Sequence, residues 1–578
     1  MVVSGGVSMN PSATLEVKVF AAEAAEVGAL GGGHEEWFEV TNITLISADC
    51  RHLAPMKQFS FLLIALLPSL AMEAQVSGWN VRVEEKTISG WDGAQSFSIG
   101  EANGEWLVAG GRVDGLHQRH PFSAFLASEA NHSIHVVNPS TLQYWSMPVD
   151  SLQVEVREQF LSTNMQAVQL DSILYLMGGY GYSTTMSNHT TYGRITAVHV
   201  AELIDAIQSG NGVAAREAIS TQVDARFAWT GGVARELDGT VYLAGGHYFH
   251  GLYNPMGPNH GPGFSQTYHD GYSHFELGLV GDSIAVSNYI AVSSPALMHR
   301  RDYNMAHRIN PATGDHTLTA FTGVFQPTAN LPWHDMVDVD DNGLALRTGA
   351  SQLLNQYHSA HFGLYDSANA EMVTVFLGGI GEYLVQSDGT LIQDPNVPFT
   401  KHVSAMVETV NGTSEYYLGD LPDYLGAGAE FLPAHAGFQQ GILHESALPS
   451  APNSSVLIGY MLGGIRSTAP NIFFSNGNNL STSNAKLYEV WLDASGVGLP
   501  TEVLERRWAQ FDSEGRLRLG GNLDARTDLW VYDATGRIIY EGRAVAFGRG
   551  YALVDSMHWM PGSYIVRFES GESVRAVK

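Results

Sequence analysis

A short apolar run that ends in a glycine doublet recurs five times along this chain. The doublets end at residues 111, 179, 246, 379 and 464. The first two gaps are 68 and 67 residues, and the third, at 133, is two periods long. We therefore expect a degenerate sixth copy within the long gap, and its nearest candidate is TAFTG, where Thr322 precedes Gly323. A fixed period of this length predicts one supersecondary unit repeated six times.

The sequence around each doublet predicts two strands joined by a tight turn, then a polar loop and a third strand. In the third copy, strands at 227–234 and 240–244 flank Asp238-Gly239, and this pair supplies the positive φ that a hairpin needs. The doublet itself is explained if the backbone passes a crowded axis where a Cβ would clash. Antiparallel sheets repeated radially are the predicted arrangement, which makes the fold all-β. Third strands are predicted at 133–141, 196–203 and 486–492.

The net charge and the cysteine content exclude two features, a nucleic-acid partner and an intramolecular disulfide. The 578 residues carry a formal net charge of -28, so nucleic acid is excluded as a partner because its phosphates would be repelled. Cys50 is the one cysteine, and no intramolecular disulfide can form.

Residues 56–74 have the layout of a secretory signal peptide. Lys57 forms the positive region, residues 59–67 the apolar region, and Ala74 the small residue before cleavage. We expect translation to start at Met56, which makes residues 1–55 an upstream extension. The alternative is an N-terminal region followed by a buried apolar segment. No other run is long enough for a transmembrane helix. The signal-peptide layout therefore predicts an exported protein.

Residues 80–495 resemble the kelch family of β-propellers. The resemblance rests on the glycine doublets, on Arg226 upstream of one of them, and on Asn138-Pro139-Ser140-Thr141 before Trp145. It implies a six-bladed kelch-like β-propeller over residues 75–495, with the strand at 79–85 completing the last blade. A linker is predicted at 496–510.

Residues 511–578 resemble the type A C-terminal sorting domain of the type IX secretion system of Bacteroidota. The residues that carry this resemblance are 531–537 (VYDATGR), 561–567 (PGSYIVR) and the final Lys578. The resemblance implies a small C-terminal β-sandwich that the type IX machinery recognises. It also implies a route through the Sec pathway, and then release or display at the outer-membrane surface.

Five residues are predicted to meet a ligand, because they fall where the first strands of blades should begin and line a central channel. Arginine suits a carboxylate or acidic sugar through bidentate bonds. The alternative is that these side chains tie neighbouring blades together. The candidates are Arg226, Arg300, Arg301, Tyr357 and His358.

Metal chemistry is weakly indicated. Histidine is concentrated between residues 247 and 361, and His247, His250, His269 and Asp270 combine imidazole with carboxylate, as Zn, Cu or Fe sites do. No recognised metal spacing accompanies them, so hydrogen bonding to neighbouring loops is the favoured role and no cofactor is predicted.

Residues 338–343 match half of a calcium loop, but position 349 is glycine, so a hairpin is predicted there.

A binding function is favoured over a catalytic one. No catalytic set can be assembled from the sequence, and kelch-type copper radical oxidases need a cysteine that the mature chain lacks. We therefore expect a secreted or surface propeller that binds a glycan or protein at one face. The alternative is a carbohydrate-active enzyme, a sugar-acid isomerase or hydrolase, with its site in the channel mouth. Convergence of Arg226, Arg301 and His358 would favour the enzyme.

Overall fold

The computed structural model describes two parts of the chain. The first is residues 78–494, apart from 387–388, 452, 476 and 478. The second comprises 508–511, 516–520, 526–547, 551–554, 556, 559–568 and 573–578. The predicted signal peptide, the extension at 1–55 with Cys50, and most of the predicted linker lie outside the described residues.

Six four-stranded antiparallel arrays lie within residues 79–494, and the protein is all-β in class. Loop strands extend the third array to a seven-stranded sheet and the fifth to a six-stranded one, in which one added pair is parallel. We number the six arrays sheet 1 to sheet 6 and call the strand named first in each the first strand. Sheet 1 is Ser98–Ala102, Glu105–Ala109, Ser133–Asn138 and Gln143–Pro148. Sheet 2 is Gln166–Leu170, Ile173–Met177, Arg194–His199 and Ile219–Val223. Sheet 3 is Thr230–Leu237, Thr240–Gly251, Gly271–Val280 and Ser283–Ser293. Sheet 4 is Asn304–Ile309, His316–Phe321, Met336–Asp340 and Gly343–Leu346. Sheet 5 is Ala360–Asp366, Glu371–Ile380, Phe399–Thr409 and Gly412–Asp420. Sheet 6 is Ala429–Pro433, Ser455–Gly463, Lys486–Ala494 and Trp79–Thr87.

Shorter strands, α-helices and 3-10 turns lie in the segments that connect the strands of the six sheets. The loop strands are Tyr180–Ser183, Asn188–Thr191, Phe264–Tyr268, Tyr383–Val385, Leu391–Gln393, Phe438–Gln439, Ile442–His444, Ile465–Ser467 and Ser481–Ser483. The α-helices are Val154–Phe160, Val200–Gln208, Gly212–Glu217 and Pro295–Met298. The 3-10 turns are Ala127–Glu129, Val149–Ser151, Ala225–Phe227 and Glu445–Ala447.

The strand predicted at 196–203 is wrong in its second half. The strand ends at His199, and the helix Val200–Gln208 begins at the next residue. This helix buries Leu203, Ile204 and Ile207, which share one face at helical spacing and belong to the same apolar core as Leu107 and Val136 of sheet 1. Burial of that face stabilises a helix where the apolar run alone had indicated a strand.

The first described strand completes the last sheet, as predicted. Trp79–Thr87 pairs antiparallel with Lys486–Ala494 from Trp79↔Ala494 to Thr87↔Lys486. Because the partners are more than 390 residues apart in sequence, this pairing joins the start of the array to its end.

The glycine doublets link each sheet to the next. Both glycines of every doublet have positive φ, between 58° and 100°. The second N–H donates to a backbone oxygen just before the next sheet, and the last of these bonds returns to sheet 1. The bonds are Gly111–Ser162 (2.8 Å), Gly179–Trp229 (2.9 Å), Gly246–Arg300 (2.8 Å), Gly379–Leu425 (2.8 Å) and Gly464–Ala94 (2.9 Å).

Sheet 4 carries the degenerate copy. Thr322 adopts φ +53° where the other copies have glycine, and its Oγ1 donates to Asn355 O at 3.1 Å. A side-chain bond to sheet 5 thus joins these two sheets, which explains how the copy tolerates the loss of a glycine.

The glycine doublets were predicted to avoid a clash at a crowded axis, and this reason is wrong. A Cβ on Gly178 would lie 2.1 Å from Trp229 O, and one on Gly378 would lie 2.1 Å from Leu425 O. The crowding is therefore between adjacent sheets, since the space enclosed by the first strands is a cavity.

Residues 340–343 form the predicted hairpin. Met336–Asp340 pairs with Gly343–Leu346, leaving Asp341 and Asn342 as the turn, and Asp340 Oδ1 accepts the Asn342 N–H at 2.8 Å.

The C-terminal strands pair in one order, which begins at Trp508–Phe511 and ends at Ser573–Val577. Leu519, Val531 and Val566 lie in their apolar core, and Lys578 Nζ donates to Ser556 O at 2.7 Å. No helix among the described residues has the length and apolar character to cross a bilayer. The strands, in pairing order, are Trp508–Phe511, Leu517–Gly520, Tyr551–Val554, Ile538–Phe547, Arg526–Tyr532, Ser563–Phe568 and Ser573–Val577.

Candidate functional site

A cavity of about 470 Å³ lies where the first strands of all six sheets meet. We call it the central cavity. Every first strand contributes to its wall, and so do the residues just before several of them. A volume of this size is typical of small-ligand sites.

Hydrogen bonds connect the starts of neighbouring first strands in a closed cycle. Each of the six junctions has at least one such bond, so the rim of the central cavity is held on every side. In order they are Asn164 N–Ser96 O (3.1 Å), Thr230 Oγ1–Asn164 O (3.3 Å), Asp302 N–Gly231 O (2.8 Å), Ser359 N–Asn304 Oδ1 (2.9 Å), Gly428 N–His358 O (2.7 Å) and Ser96 N–Gly428 O (2.9 Å).

Two opposite charges face this cavity from sheets three apart in the cycle. Arg235 belongs to the first strand of sheet 3 and Glu430 to that of sheet 6. Burial raises the pKa of Glu430, while the nearby Arg235 and His358 oppose that rise. Arg235 donates to Ala234 O at 3.0 Å, and within the described part of the chain neither side chain forms an ion pair. Both retain hydrogen-bonding capacity for a ligand.

Two histidines in the cavity are neutral at pH 7. Burial lowers the pKa of His361 to about 4, and its Nδ1 bonds Ser359 O at 2.9 Å. That bond sets the tautomer and leaves Nε2 as an acceptor. Burial also lowers the pKa of His307, to about 3.

Three residues of the cavity lining each have one side-chain atom that is buried inside the wall and has no hydrogen-bond partner among the described residues. The atoms are Ser98 Oγ, Gln166 Oε1 and His307 Nδ1.

Two of the predicted ligand residues lie elsewhere. Arg226 sits in a 3-10 turn outside the cavity lining, where it pairs with Asp224 at 2.6 Å and has 42% of its side chain exposed. Arg300 is fully buried, and its guanidinium donates to Leu297 O, Thr322 O and Asp335 Oδ1 at 2.8 to 2.9 Å. Arg300 thus ties neighbouring segments together.

The other three predicted residues are gathered beside the cavity. His358 lines it, as does Asp302, the neighbour of Arg301. Arg301 lies close enough to Tyr357 for its charge to affect the pKa of that hydroxyl, which burial raises. Arg301 Nη1 donates to Tyr268 Oη, and its guanidinium carbon lies 5.1 Å from the Phe325 ring centre. Arg226, Arg301 and His358 therefore do not converge on one pocket.

The four metal candidates have other partners. His247 Nδ1 bonds Gln266 Nε2 at 2.6 Å, and His269 stacks on Trp229 at 3.6 Å. Asp270 bonds His299 at 2.6 Å. His250 lies 3.3 Å from Thr190 Oγ1. Among the residues the structure describes, no group of three or more His, Cys, Asp or Glu is placed to hold a metal ion.

Sequence reasoning missed Arg235, Glu430, His307 and His361. The first strand of sheet 3 was expected at Phe227, but residues 225–227 form a 3-10 turn and the strand begins at Thr230. In sheet 3, the residues that line the cavity therefore lie later in the chain than predicted. The available signal was the presence of charged residues inside otherwise apolar first strands.

The fold and site define an all-β protein with a polar cavity enclosed by six sheets. No model of a protein family matches the chain, and no curated protein is similar to it. Among solved structures, one titled "Structure of YjhT" is similar with a TM-score of 0.36 and 11% identity, covering 69% of this chain and 97% of that one. A similarity this low carries no argument about function.

Proposed function

We propose that residues 78–494 form a six-bladed β-propeller of the kelch type. Three observations support it: the closed cycle of hydrogen bonds between the starts of the first strands, the closing strand Trp79–Thr87, and the cavity lined by all six first strands. The strand Trp79–Thr87, at the start of the array, pairs with sheet 6 at its end, and this pairing limits exposed sheet edges.

We further propose that the protein binds a glycan in the central cavity. The observation that carries this is the pair of charged side chains in the cavity lining, Arg235 and Glu430, neither of which forms an ion pair among the described residues. Sugars offer closely spaced hydroxyls that both donate and accept. A wall of carboxylate, guanidinium, imidazole and amide groups complements them better than it would an apolar ligand.

Binding is proposed rather than catalysis. The enzyme alternative rested on Arg226, Arg301 and His358 meeting around one pocket, and the ion pair of Arg226 lies outside the cavity lining. Arg235 and Glu430 instead provide charged groups for hydrogen bonds to hydroxyls, and such bonds contribute about 1.5–3 kcal/mol each.

Replacing Arg235 or Glu430 with Gln is expected to weaken glycan binding at least tenfold, because each change removes a charge-assisted hydrogen bond. A glycan array of the secreted protein identifies the ligand, and calorimetry of the best glycan measures the change. Arg226→Gln, which removes the arginine that the sequence pattern indicated, should leave affinity unchanged. Unaltered binding by both cavity variants, or an array without any bound glycan, would contradict the proposal.

We propose that the C-terminal segment directs export by type IX secretion after Sec passage, with the glycan site then displayed at the surface or released. The motif residues form an ordered turn, in which Asp533 Oδ1 accepts the N–H groups of Thr535 and Arg537. That turn is the kind of compact feature a secretion receptor can recognise.

Deletion of residues 511–578 is expected to leave the protein in the periplasm, because the recognised segment is gone. Fractionation of a Bacteroidota host, with immunoblotting of periplasm, surface and medium, measures this. A deletion protein must still bind the glycan, which shows that it has folded. Undiminished release of the deletion protein would count against type IX export.

A further inference from the structure

A second, smaller cavity of about 180 Å³ lies apart from the central one. We call it the side cavity. The loop after the second strand of sheet 1, the helix Val154–Phe160 and the hairpin at 180–191 surround it. Its lining includes the exposed imidazole of His132 and a group of four further rings, those of Phe125, Tyr180, Tyr182 and His189.

The four rings pack into one aromatic group. The Phe125 and Tyr180 centroids are 5.0 Å apart, and His189 lies 5.7 Å from Tyr180 and 5.3 Å from Tyr182. Tyr182 is 37% exposed, so this ring remains open to a ligand. Aromatic faces carry partial negative charge and attract cations.

The carboxylate of Glu158 also lines the side cavity and is ionised. Burial alone would raise its pKa, but hydrogen bonds from Thr184 and Ser183 outweigh that effect and hold the pKa below its usual value. The Thr184 N–H donates to Glu158 Oε1 at 2.7 Å. Among the described residues, no Lys, Arg or His nitrogen lies within ion-pair distance of this carboxylate.

Arg112, the cation already present, is compensated. Its guanidinium lies 4.0 Å from the Phe125 ring and makes two bonds to Asp114, at 2.8 and 2.7 Å. Burial lowers the pKa of His189 to about 4, so that ring is neutral at pH 7. Glu158 is therefore the one acidic residue among the described residues that line the side cavity, and Arg194, whose pKa its charge affects, lies outside that lining.

The remaining polar groups are poorly suited to a sugar. The Tyr180 hydroxyl donates to Gly251 O and accepts the Tyr253 N–H, and Thr163 Oγ1 donates to Ser96 O. A primary ammonium is also a poor fit, because its three N–H donors would find one carboxylate. An alkylated ammonium needs no hydrogen bonds and gains from both the aromatic faces and the charge.

We propose that the side cavity binds a quaternary ammonium group, of the kind choline carries. The group sits against the rings of Tyr182 and its neighbours, with the Glu158 carboxylate as counter-ion. This site is separate from the central cavity, so it stands or falls independently of the glycan proposal.

The test is calorimetric titration of the full protein with choline and with 3,3-dimethylbutan-1-ol, its neutral isostere. We expect choline to bind at least tenfold more tightly, because shape and apolar area are matched and only charge differs. Equal binding of the two, or no binding of choline at millimolar concentration, would overturn the proposal.

Variants locate the site. Glu158→Gln keeps an acceptor for Thr184 but removes the charge, and Tyr182→Leu removes the exposed ring; each should weaken choline binding about tenfold. Glu155→Gln, on the exposed side of the same helix, should have no effect. If Glu158→Gln lowers the melting temperature relative to Glu155→Gln, the Tyr182 variant decides. Wild-type affinity in a folded Tyr182→Leu protein would refute the site.

Vesicles distinguish the source of the ammonium group. Sedimentation with phosphatidylcholine but not phosphatidylglycerol vesicles, lost in Glu158→Gln, identifies a lipid headgroup. Binding of free choline without vesicle binding identifies a solute. Either result supports the ammonium site.

Discussion

Replacing Arg300 with Ala is expected to lower the free energy of unfolding by about 3–5 kcal/mol, the range observed when one partner of a buried ion pair is removed. Arg300 is fully enclosed, and its guanidinium lies 4.8 Å from the Trp333 ring. Its loss leaves Asp335 and two backbone oxygens without their donors. Urea denaturation monitored by tryptophan fluorescence measures the change.

Arg226→Ala is the matched control, because both arginines precede a first strand and both pair with an aspartate. The Arg226 side chain is 42% exposed, so removal of its ion pair should cost less than about 1 kcal/mol. Arg300→Lys should recover part of the loss, since an ammonium can reach some of the same acceptors. Equal losses for the two alanine variants would contradict a structural role specific to Arg300.

Gly178→Ala is the second change with a large expected effect, a loss of about 2–5 kcal/mol. Its Cβ would lie 2.1 Å from Trp229 O and 2.7 Å from Phe227 O, and both contacts are to backbone of the next sheet. The residue also has φ +66°, which costs an L side chain about 1–2 kcal/mol. Overpacking adds typically 1–3 kcal/mol.

Gly210→Ala separates the two contributions. Gly210 has nearly the same φ, +67°, and no atom within 4 Å of an added Cβ. It should therefore lose only the conformational part, about 1–2 kcal/mol. Chemical denaturation of both variants gives the comparison, and losses of the same size would show that contact between sheets is not what requires glycine at 178.

The sequence predicted the repeated units well, because each doublet expresses a local backbone requirement. Positive φ is costly for a residue with a Cβ, so glycine recurs at the doublet positions, where both residues adopt it. The degenerate copy was also found by spacing, and Thr322 takes the expected conformation. The strand at 79–85 was predicted to complete the last sheet, and the pairing of Trp79–Thr87 with Lys486–Ala494 confirms this.

The helix Val200–Gln208 and the cavity residues were not predicted. The segment from Val198 to Leu203 fits either a strand or a helix, and contact with sheet 1 decides between them. Arg235 and Arg300 are likewise indistinguishable by residue type. One lines the central cavity and the other is enclosed by protein, because the exact start of each first strand sets which side chains reach the cavity.

What the sequence determined by itself is the all-β class, the number of repeats and the positions where the chain turns with positive φ, since these depend on residues near one another. The signal peptide at 56–74 and the sorting domain at 511–578 remain predictions, and they too rest on local sequence patterns. Tertiary structure decided which polar side chains meet. The central cavity joins six strands spread over more than 300 residues, and the side cavity joins a helix to two loops. Burial and pairing of charges depend on such distant neighbours, and no local pattern encodes them.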